Sequence, residues 1–310
     1  MTLEEKKIKE VLEANSVIFF KDFIDRITSR DNGEEDEISN ELVILSISSL
    51  QIAMELAMKA SLIEHSGLYE LVFSKKDTHR SKTKQELLNQ FENNSLKTLN
   101  FENVKNYVRI NEVVSNLDDD DFEIINDFQK YRNGMVHFAY KFSHGDYFDL
   151  KYDIIYFAIN ILIKVLYNKH DDLKPSEFLE YKIGKEHYNK LKNYKPYLFA
   201  MEKLARNNSN EVLDCFFCQS HTYAKDAEYC YFCNIDYTGY QFTNCAFCKS
   251  IDTMLYDHLN LENNYFSTRG NCLVCKSDAI LFACSNCDNI YNLETEDHSK
   301  ICSLEKCINT

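Results

Sequence analysis

The run Arg132-Asn133-Gly134-Met135-Val136-His137 holds groups able to work on a phosphodiester. An arginine is a planar, permanently charged fork for phosphate oxygens, most useful where negative charge builds up during reaction. A histidine titrating near neutrality takes or gives a proton, worth about 10²–10⁴ in rate when well placed. Asn133 can hold a phosphate oxygen or orient the imidazole. Together they supply what metal-free cleavage of RNA by its own 2′-hydroxyl needs: a base, charge stabilisation, and help for the departing 5′-oxygen. The plainer role for an Arg and a His near a helix end is to bond carbonyls there.

Spacing sharpens the reading. Residues five apart on an α-helix diverge by about 140° around its axis. On one unbroken helix, Arg132 and His137 cannot grip the same phosphate. Either Gly134 permits a kink or helix end between them, or two copies of the run meet across a two-fold axis.

The run lies between an acidic helical pattern (Asp118 to Lys130) and a strongly apolar one (Asp149 to His170). An Arg-Asn pair, three residues and a His in that setting resembles the motif of HEPN domains, small all-helical domains many of which cut RNA without a metal. The resemblance covers roughly residues 35–170. Glu55-Leu56-Ala57-Met58-Lys59-Ala60 also looks like part of the second helix of these domains. It implies a homodimer with the site in a cleft at the subunit interface. Arg132 and His137 would be catalytic and Asn133 positioning, with Glu55, Tyr131 and Tyr140 in support and no catalytic metal. The expected products are 2′,3′-cyclic phosphate and 5′-hydroxyl ends. Some members carry a Tyr two residues after the His; here Ala139 stands in that place and Tyr140 follows it.

The second chemical signal is cysteine. All twelve fall in the last third: Cys215/Cys218, Cys230/Cys233, Cys245/Cys248, Cys272/Cys275, Cys284/Cys287 and Cys302/Cys307. Two-residue gaps let both sulfurs of a tight turn reach one ion, and two such turns complete a tetrahedron. Six pairs predict three structural zinc ions with no thiol left over. Cys215/Cys218 closes with Cys230/Cys233. For the rest, a nested pairing (Cys272/Cys275 with Cys284/Cys287, and Cys245/Cys248 with Cys302/Cys307) is slightly favoured over a strictly sequential one. Gln219, Asn234, Lys249, Lys276 and Asp288 follow the second cysteines where ribbons usually have Gly. Redox disulfide exchange is the weaker reading, since no βαβ pattern surrounds the pairs.

These residues need elements to carry them. Seven Gly and two Pro in 310 residues favour long helices. The fold class expected is mainly α, a HEPN-like bundle followed by a small β-rich zinc-ribbon domain. Residues 1–174 read as the helical domain, 175–210 as a helical connector and 211–310 as the ribbons. Helical patterns cover Leu3–Glu13, Val17–Thr28, about Glu41–His65, Gln85–Asn93, Glu102–Leu117, Phe122–Phe138 and Leu150–Lys169. Asn32–Glu37 and Ser74–Lys84 read as polar loops. The apolar run Leu42 to Ile63 is broken by Gln51, Glu55 and Lys59, so it reads as a helix in the middle of a bundle and no membrane span is expected.

The net charge is −14, divided as −6 through Arg206 and −8 beyond it. Each four-thiolate zinc site would add a further −2. Such a surface repels a phosphate backbone, which argues against a general nucleic-acid-binding module. The first residues mix charge rather than forming a secretory leader, and paired cysteines without disulfide logic suit a reducing, cytoplasmic setting. The function expected is thus a metal-independent endoribonuclease acting on RNA, with an antiviral-defence or toxin role, controlled by a protein trigger or partner through the ribbons. The exposed-looking Tyr223, Tyr229, Tyr231, Tyr237 and Tyr240 lean the ribbons toward protein recognition. A non-catalytic dimeric adaptor and a zinc-ribbon nucleic-acid-binding regulator are the alternatives.

Overall fold

The structure, a computed structural model, describes residues 1–29, 40–72, 83–93, 95–138, 144–167, 175–259, 267–284 and 290–292. The side chains at 40, 135–138, 144–149, 175–177 and 291–292 lie outside that description, as do the loop expected at 32–37 and residues 74–82 of the one expected at 74–84, whose Thr83 and Lys84 instead open a helix. The chain divides into a helical unit, Met1–Ala200, and a second unit, Met201–Thr310, built largely on small antiparallel sheets.

The helical unit begins with α1 (Leu3–Ile27), opened by a capping box between Thr2 and Glu5. Two helices were expected here, broken near Asn15-Ser16. The helix is continuous because the Ser16 hydroxyl donates outward to the Ala53 carbonyl of α2 (Asn40–Ser66) at 2.7 Å. Ser49 of α2 donates to Asp22 Oδ2 at 2.5 Å, and Lys9 pairs with Glu64 at 3.0 Å. These contacts fix α1 and α2 as an antiparallel pair. Helix α2 ends at Gly67, whose φ of +85° only glycine adopts freely and whose N–H donates to the Ile63 carbonyl at 2.9 Å. α3 (Leu68–Val72) follows, then α4 (Lys84–Glu92) and α5 (Phe101–Ile110).

α6 (Asp119–Phe138) carries the Arg132 run, and α7 (His144–Phe157) passes through a π-helical turn, Ala158–Leu162, into α8 (Ile163–Tyr167). Helix α2 packs on α1, α3, α5, α6 and the π-turn, which makes it the shared wall of the unit. It is long and apolar enough to cross a membrane by composition; here Val43, Ile47, Leu50, Met54, Ala57 and Met58 are buried among the other helices.

The segment expected as a connector is instead packed. α9 (Pro175–Lys192) buries Phe178, Leu179, Ile183, Tyr188 and Leu191 and lies along α1, where Lys190 reaches Asp25 at 2.8 Å. Its apolar stripe is masked in the sequence by a run of Lys, Glu and Tyr on the other side. The unit boundary therefore falls within α10 (Lys195–Asn208).

Among the described residues the second unit has two antiparallel sheets. The first is β1 (Val212–Leu213), β2 (Tyr223–Ala224) and β3 (Tyr229–Cys230). The second orders β4 (Tyr240–Thr243), β5 (Met254–Asp257), β6 (Ser267–Cys272), β7 (Asp278–Ala283) and β8 (Ile290–Asn292) as a meander. Ile280-Leu281-Phe282 lies within β7.

One buried carboxylate ties three parts of the helical unit together. Glu5 is 4 % exposed and accepts from the Thr2 and Leu68 amides and from Lys84 at 2.7 Å. Burial alone would raise its pKa, but the Lys84 ammonium and the two amides win and hold it down at about 2. A depressed carboxylate contributes stability that is present above its unfolded value of 4.5 and lost as pH falls toward about 2. Wild type should therefore lose stability across that window more steeply than Glu5→Gln, which itself costs about 1–3 kcal/mol at neutral pH. Denaturant melts of both proteins from pH 7 to pH 2.5 check this; parallel pH profiles would refute it.

Candidate functional site

Two stripes on α6 define where the Arg132 run sits. Asp121 takes a bidentate bond from Lys164 of α8 at 2.8 Å, and Phe128 stacks on Phe157 of α7 at 4.0 Å. Arg132 follows Phe128 by one turn on this α7-facing stripe. The other stripe faces α5. There Lys105, only 6 % exposed, donates to Asn126 Oδ1 at 2.7 Å, to Gln129 Oε1 at 2.9 Å and to Glu102 at 2.8 Å. Asn133 follows Gln129 by one turn on that stripe. α5 and α6 run antiparallel, since Arg109 pairs with Asp119, so Asn133 lies toward the N-terminal end of α5. Just before that end, Thr98 accepts from Lys59 at 2.9 Å, and Lys59 pairs with Glu55 at 2.5 Å.

Arg132 is half-buried and reaches between the stripes, its Nη1 donating to Asn133 Oδ1 at 3.1 Å. Its Nε–H is sealed from solvent and has no partner among the described residues. Tyr131 is exposed. Position 137 falls in the last turn of α6, but the His137 side chain and Tyr140 lie outside the described residues. Glu55 is committed to Lys59, and no bond joins it to Arg132 among the described residues. The expected alternative of a break at Gly134 is not seen. α6 is helical through Phe138, and a Cβ at Gly134 would meet nothing within 4 Å. Within one chain, positions 132 and 137 therefore stay about 140° apart.

Among the described residues the cysteines form two four-sulfur clusters. Cys215, Cys218, Cys230 and Cys233 make one; Cys245, Cys248, Cys272 and Cys275 make the other, all sulfurs of a cluster lying within 4.8 Å of one another. The second cluster overturns the nested pairing: among the described cysteines the turns pair in sequence, because β5 and β6 pair so that Met254 faces Cys272 and bring the third and fourth turns together. Sulfur separations of 3.6 Å (Cys215–Cys233) and 3.7 Å (Cys218–Cys230, Cys245–Cys275, Cys248–Cys272) are far longer than a disulfide. They match the edge of about 3.8 Å of a tetrahedron with metal–sulfur bonds of about 2.3 Å. Cys284 is buried and described; Cys287, Cys302 and Cys307, the rest of the expected third site, lie outside the described residues.

The four turns share one geometry. In each, the residue after the second cysteine has its N–H on the first cysteine's carbonyl: Gln219 on Cys215, Asn234 on Cys230, Lys249 on Cys245 and Lys276 on Cys272, at 2.8–3.0 Å. Those residues adopt φ of 61°, 65°, 62° and 61°, so side chains occupy the left-handed conformation usually left to Gly. The sulfurs also have hydroxyl neighbours that sequence reading missed. Tyr237 Oη is 3.1 Å from Cys215, Ser220 Oγ 2.9 Å from Cys218 and Thr222 Oγ1 3.2 Å from Cys230. Ser250 and Ser277 serve Cys248 and Cys275 at 3.3 Å. The signal was available, since Ser recurs two residues after Cys218, Cys248 and Cys275.

Electrostatics within the clusters favour a cation. Bonds from Cys215, Cys230 and Cys233 drive Cys218 far below the ordinary thiol range, and Cys215, Cys218 and Cys230 push Cys233 far above it. In the second cluster the Ser250 hydroxyl and amide lower Cys248 to about 6, while burial lifts Cys245 to about 12. Four thiols so close cannot all ionise unless positive charge sits between them. Two four-cysteine sites able to hold a metal ion are thus a property of this fold.

The expected aromatic surface is corrected. Tyr223, Tyr229 and Tyr237 are buried and Tyr231 and Tyr240 half-buried; the rings of Tyr223 and Tyr237 lie 4.4 Å apart in one buried cluster with Cys215 and Cys230. Phe217, Phe247 and Val274, at the tips of three cysteine turns, are exposed instead.

Comparison of the chain with protein-family models, with curated proteins and with solved structures finds no match.

The Tyr237 hydroxyl is a fully buried sulfur partner. Tyr237→Phe should weaken metal binding by about tenfold or more while leaving the fold intact. Competition with a chromogenic chelator measures this, and an unchanged affinity would show the hydroxyl to be a bystander.

Proposed function

We propose that the helical unit is a metal-independent endoribonuclease of HEPN type and that the second unit is a zinc-holding module that controls it. The observation that carries the first part is Arg132. A guanidinium held half-buried with an unpartnered Nε–H costs about 1–3 kcal/mol in a purely structural role, so a group that binds a ligand explains it better. Arg132 is tethered to Asn133, which leaves the pair poised as one unit for phosphate oxygens. His137, on the same helix, would move protons. Because α6 continues past Gly134, Arg132 of one copy works with His137 of a second copy in this reading.

For the second unit the donor set is all sulfur, the separations are tetrahedral and hydroxyls neighbour the thiolates, which suits zinc in a structural role. Cys284, Cys287, Cys302 and Cys307 would hold a third ion. The turn-tip residues Phe217, Phe247 and Val274 favour contact with a protein trigger, in an acidic unit that disfavours RNA.

Purified protein incubated with single-stranded RNA and a chelator too weak to strip the clusters should give cyclic-phosphate ends. Arg132→Ala and His137→Ala should each slow this at least about 100-fold. Cleavage that persists in both variants, or that needs an added divalent ion, would sink the nuclease reading. Elemental analysis should find three zinc ions per chain; fewer than two would refute the metal assignment.

A further inference from the structure

The two four-sulfur clusters differ in how much protein covers them. In the first, Cys215 and Cys230 are buried, Cys218 and Cys233 are half-buried, and Phe216, Phe232 and Ile235 pack around them. In the second, Cys245 and Cys272 are buried beside Met254, Tyr256 and Leu281, but Cys248 and Cys275 are exposed. Each of the exposed pair is the second cysteine of its turn, with a serine hydroxyl at 3.3 Å, from Ser250 and Ser277 respectively. The adjoining tip residues Phe247 and Val274 are exposed as well. The sulfurs of Cys248 and Cys275 lie within 4.8 Å of each other, and exposed Lys249 and Lys276 follow them in the chain.

We infer that Cys248 and Cys275 are a site of oxidation by peroxide, a modification that opens the second cluster while the first stays closed. The inference rests on the zinc reading of that cluster and not on the nuclease reading. Thiols held at a metal are deprotonated, and susceptibility to oxidation follows thiolate character and exposure. Both clusters meet the first condition. The second cluster meets the other at two neighbouring sulfurs, whereas the first has no exposed cysteine. Hydrogen peroxide is the oxidant, and the step balances. The Cys248 thiolate attacks one peroxide oxygen, the O–O bond breaks, and hydroxide departs to leave a sulfenic acid. The Cys275 thiolate then displaces a second hydroxide from that sulfur, and the S–S bond forms. Two electrons pass from the sulfurs to the peroxide, and two solvent protons turn both hydroxides into water. Burial selects the resolving partner. Cys272 is 3.7 Å from Cys248, but it is fixed in the apolar cluster and accepts the Cys275 amide at 3.4 Å. The exposed pair can close by side-chain rotation at the surface. The effect reaches the first cluster as well. The turn that carries Cys275 buries Leu273 in the first cluster's core and sends Lys276 to Asp214, beside Cys215, at 2.8 Å. Loss of two ligands thus loosens a turn that joins the clusters, which gives the second unit a chemical trigger.

The test treats the full-length, zinc-loaded chain with a few equivalents of hydrogen peroxide. A chromogenic chelator reads zinc release, and mass spectrometry after alkylation reads the state of each cysteine. A Cys248–Cys275 disulfide should form in step with the first zinc released, at least about tenfold faster than any oxidation in the first cluster. Dithiothreitol with added zinc should restore the starting metal content. Cys275→His keeps a four-ligand set but lacks one reacting sulfur, and should release zinc at least about tenfold more slowly than wild type. Release from both clusters at one rate, first oxidation at any other cysteine, or a zinc-holding variant as labile as wild type overturns the inference. The wild-type measurement decides by itself if the variant does not fold. A chain that holds no zinc at the second cluster before peroxide sinks the metal reading and takes this inference with it. Zinc held there and kept under peroxide sinks this inference alone.

Discussion

Ser16 and Ser49 tie α1 to α2 at two points, and the register they set decides which sides of α2 remain for everything else in the helical unit. A hydroxyl donating to a buried carbonyl or carboxylate is worth only about 1–2 kcal/mol. Its structural effect is larger than its energy, because sliding α1 by one residue would turn the buried Phe20, Phe23 and Ile24 away from α2. With α1 on one side, α2 presents its core-facing stripe to the π-turn after α7 and its polar stripe, Gln51-Glu55-Lys59, to the end of α5. α6 can then pack only where Lys105 meets Asn126 and Gln129. The place of Arg132 and Asn133 follows from that packing rather than from their own sequence.

A different constraint governs the second unit. Its two buried clusters are small, and each includes two of the metal-site cysteines, Cys215 and Cys230 in one and Cys245 and Cys272 in the other. What closes it is the repeated cysteine turn, with an N–H returning to the first cysteine and a left-handed residue after the second. Four side chains occupying that conformation each cost about 1 kcal/mol against glycine. A metal ion at each cluster would offset this several times over, since structural zinc contributes about 10–16 kcal/mol in small domains. The buried tyrosines are part of the same arrangement. Tyr237 reaches a sulfur while its ring, with Tyr223, supplies the apolar cover.

Much of this was legible in the chain. Apolar periodicity located α2 and α6 to within a few residues and the start of α5 to within one, though α5 ends at Ile110 and not at Leu117, and the Cys-x-x-Cys spacing located both clusters. The failures share a cause. Ser16 looked like a break because a serine's local preference is visible and its tertiary partner, the Ala53 carbonyl, is not. Residues 175–192 looked like a connector because their charged face hides Phe178, Leu179 and Ile183. The pairing of cysteine turns depended on which strands lie side by side, a non-local fact that spacing cannot carry. Tyrosine offers no local clue to burial, so a cluster of five read as a surface. Gly134 is the reverse case, a glycine that suggested a kink and sits in an ordinary helix with open space beside it.

That last result bears most on chemistry. With a kink at Gly134, one chain could have assembled its own phosphate site, and self-association would have been incidental. An unbroken α6 removes this option, so any reaction that uses both Arg132 and His137 couples activity to association. The charge balance works in the same direction. An acidic chain cannot concentrate RNA by long-range attraction, so affinity for a phosphate must come from close, oriented contacts such as the Arg132–Asn133 pair. Under the proposed nuclease reading, discrimination would come from geometry and from assembly state. A second unit able to hold metal at two four-cysteine clusters would then be the part placed to control them.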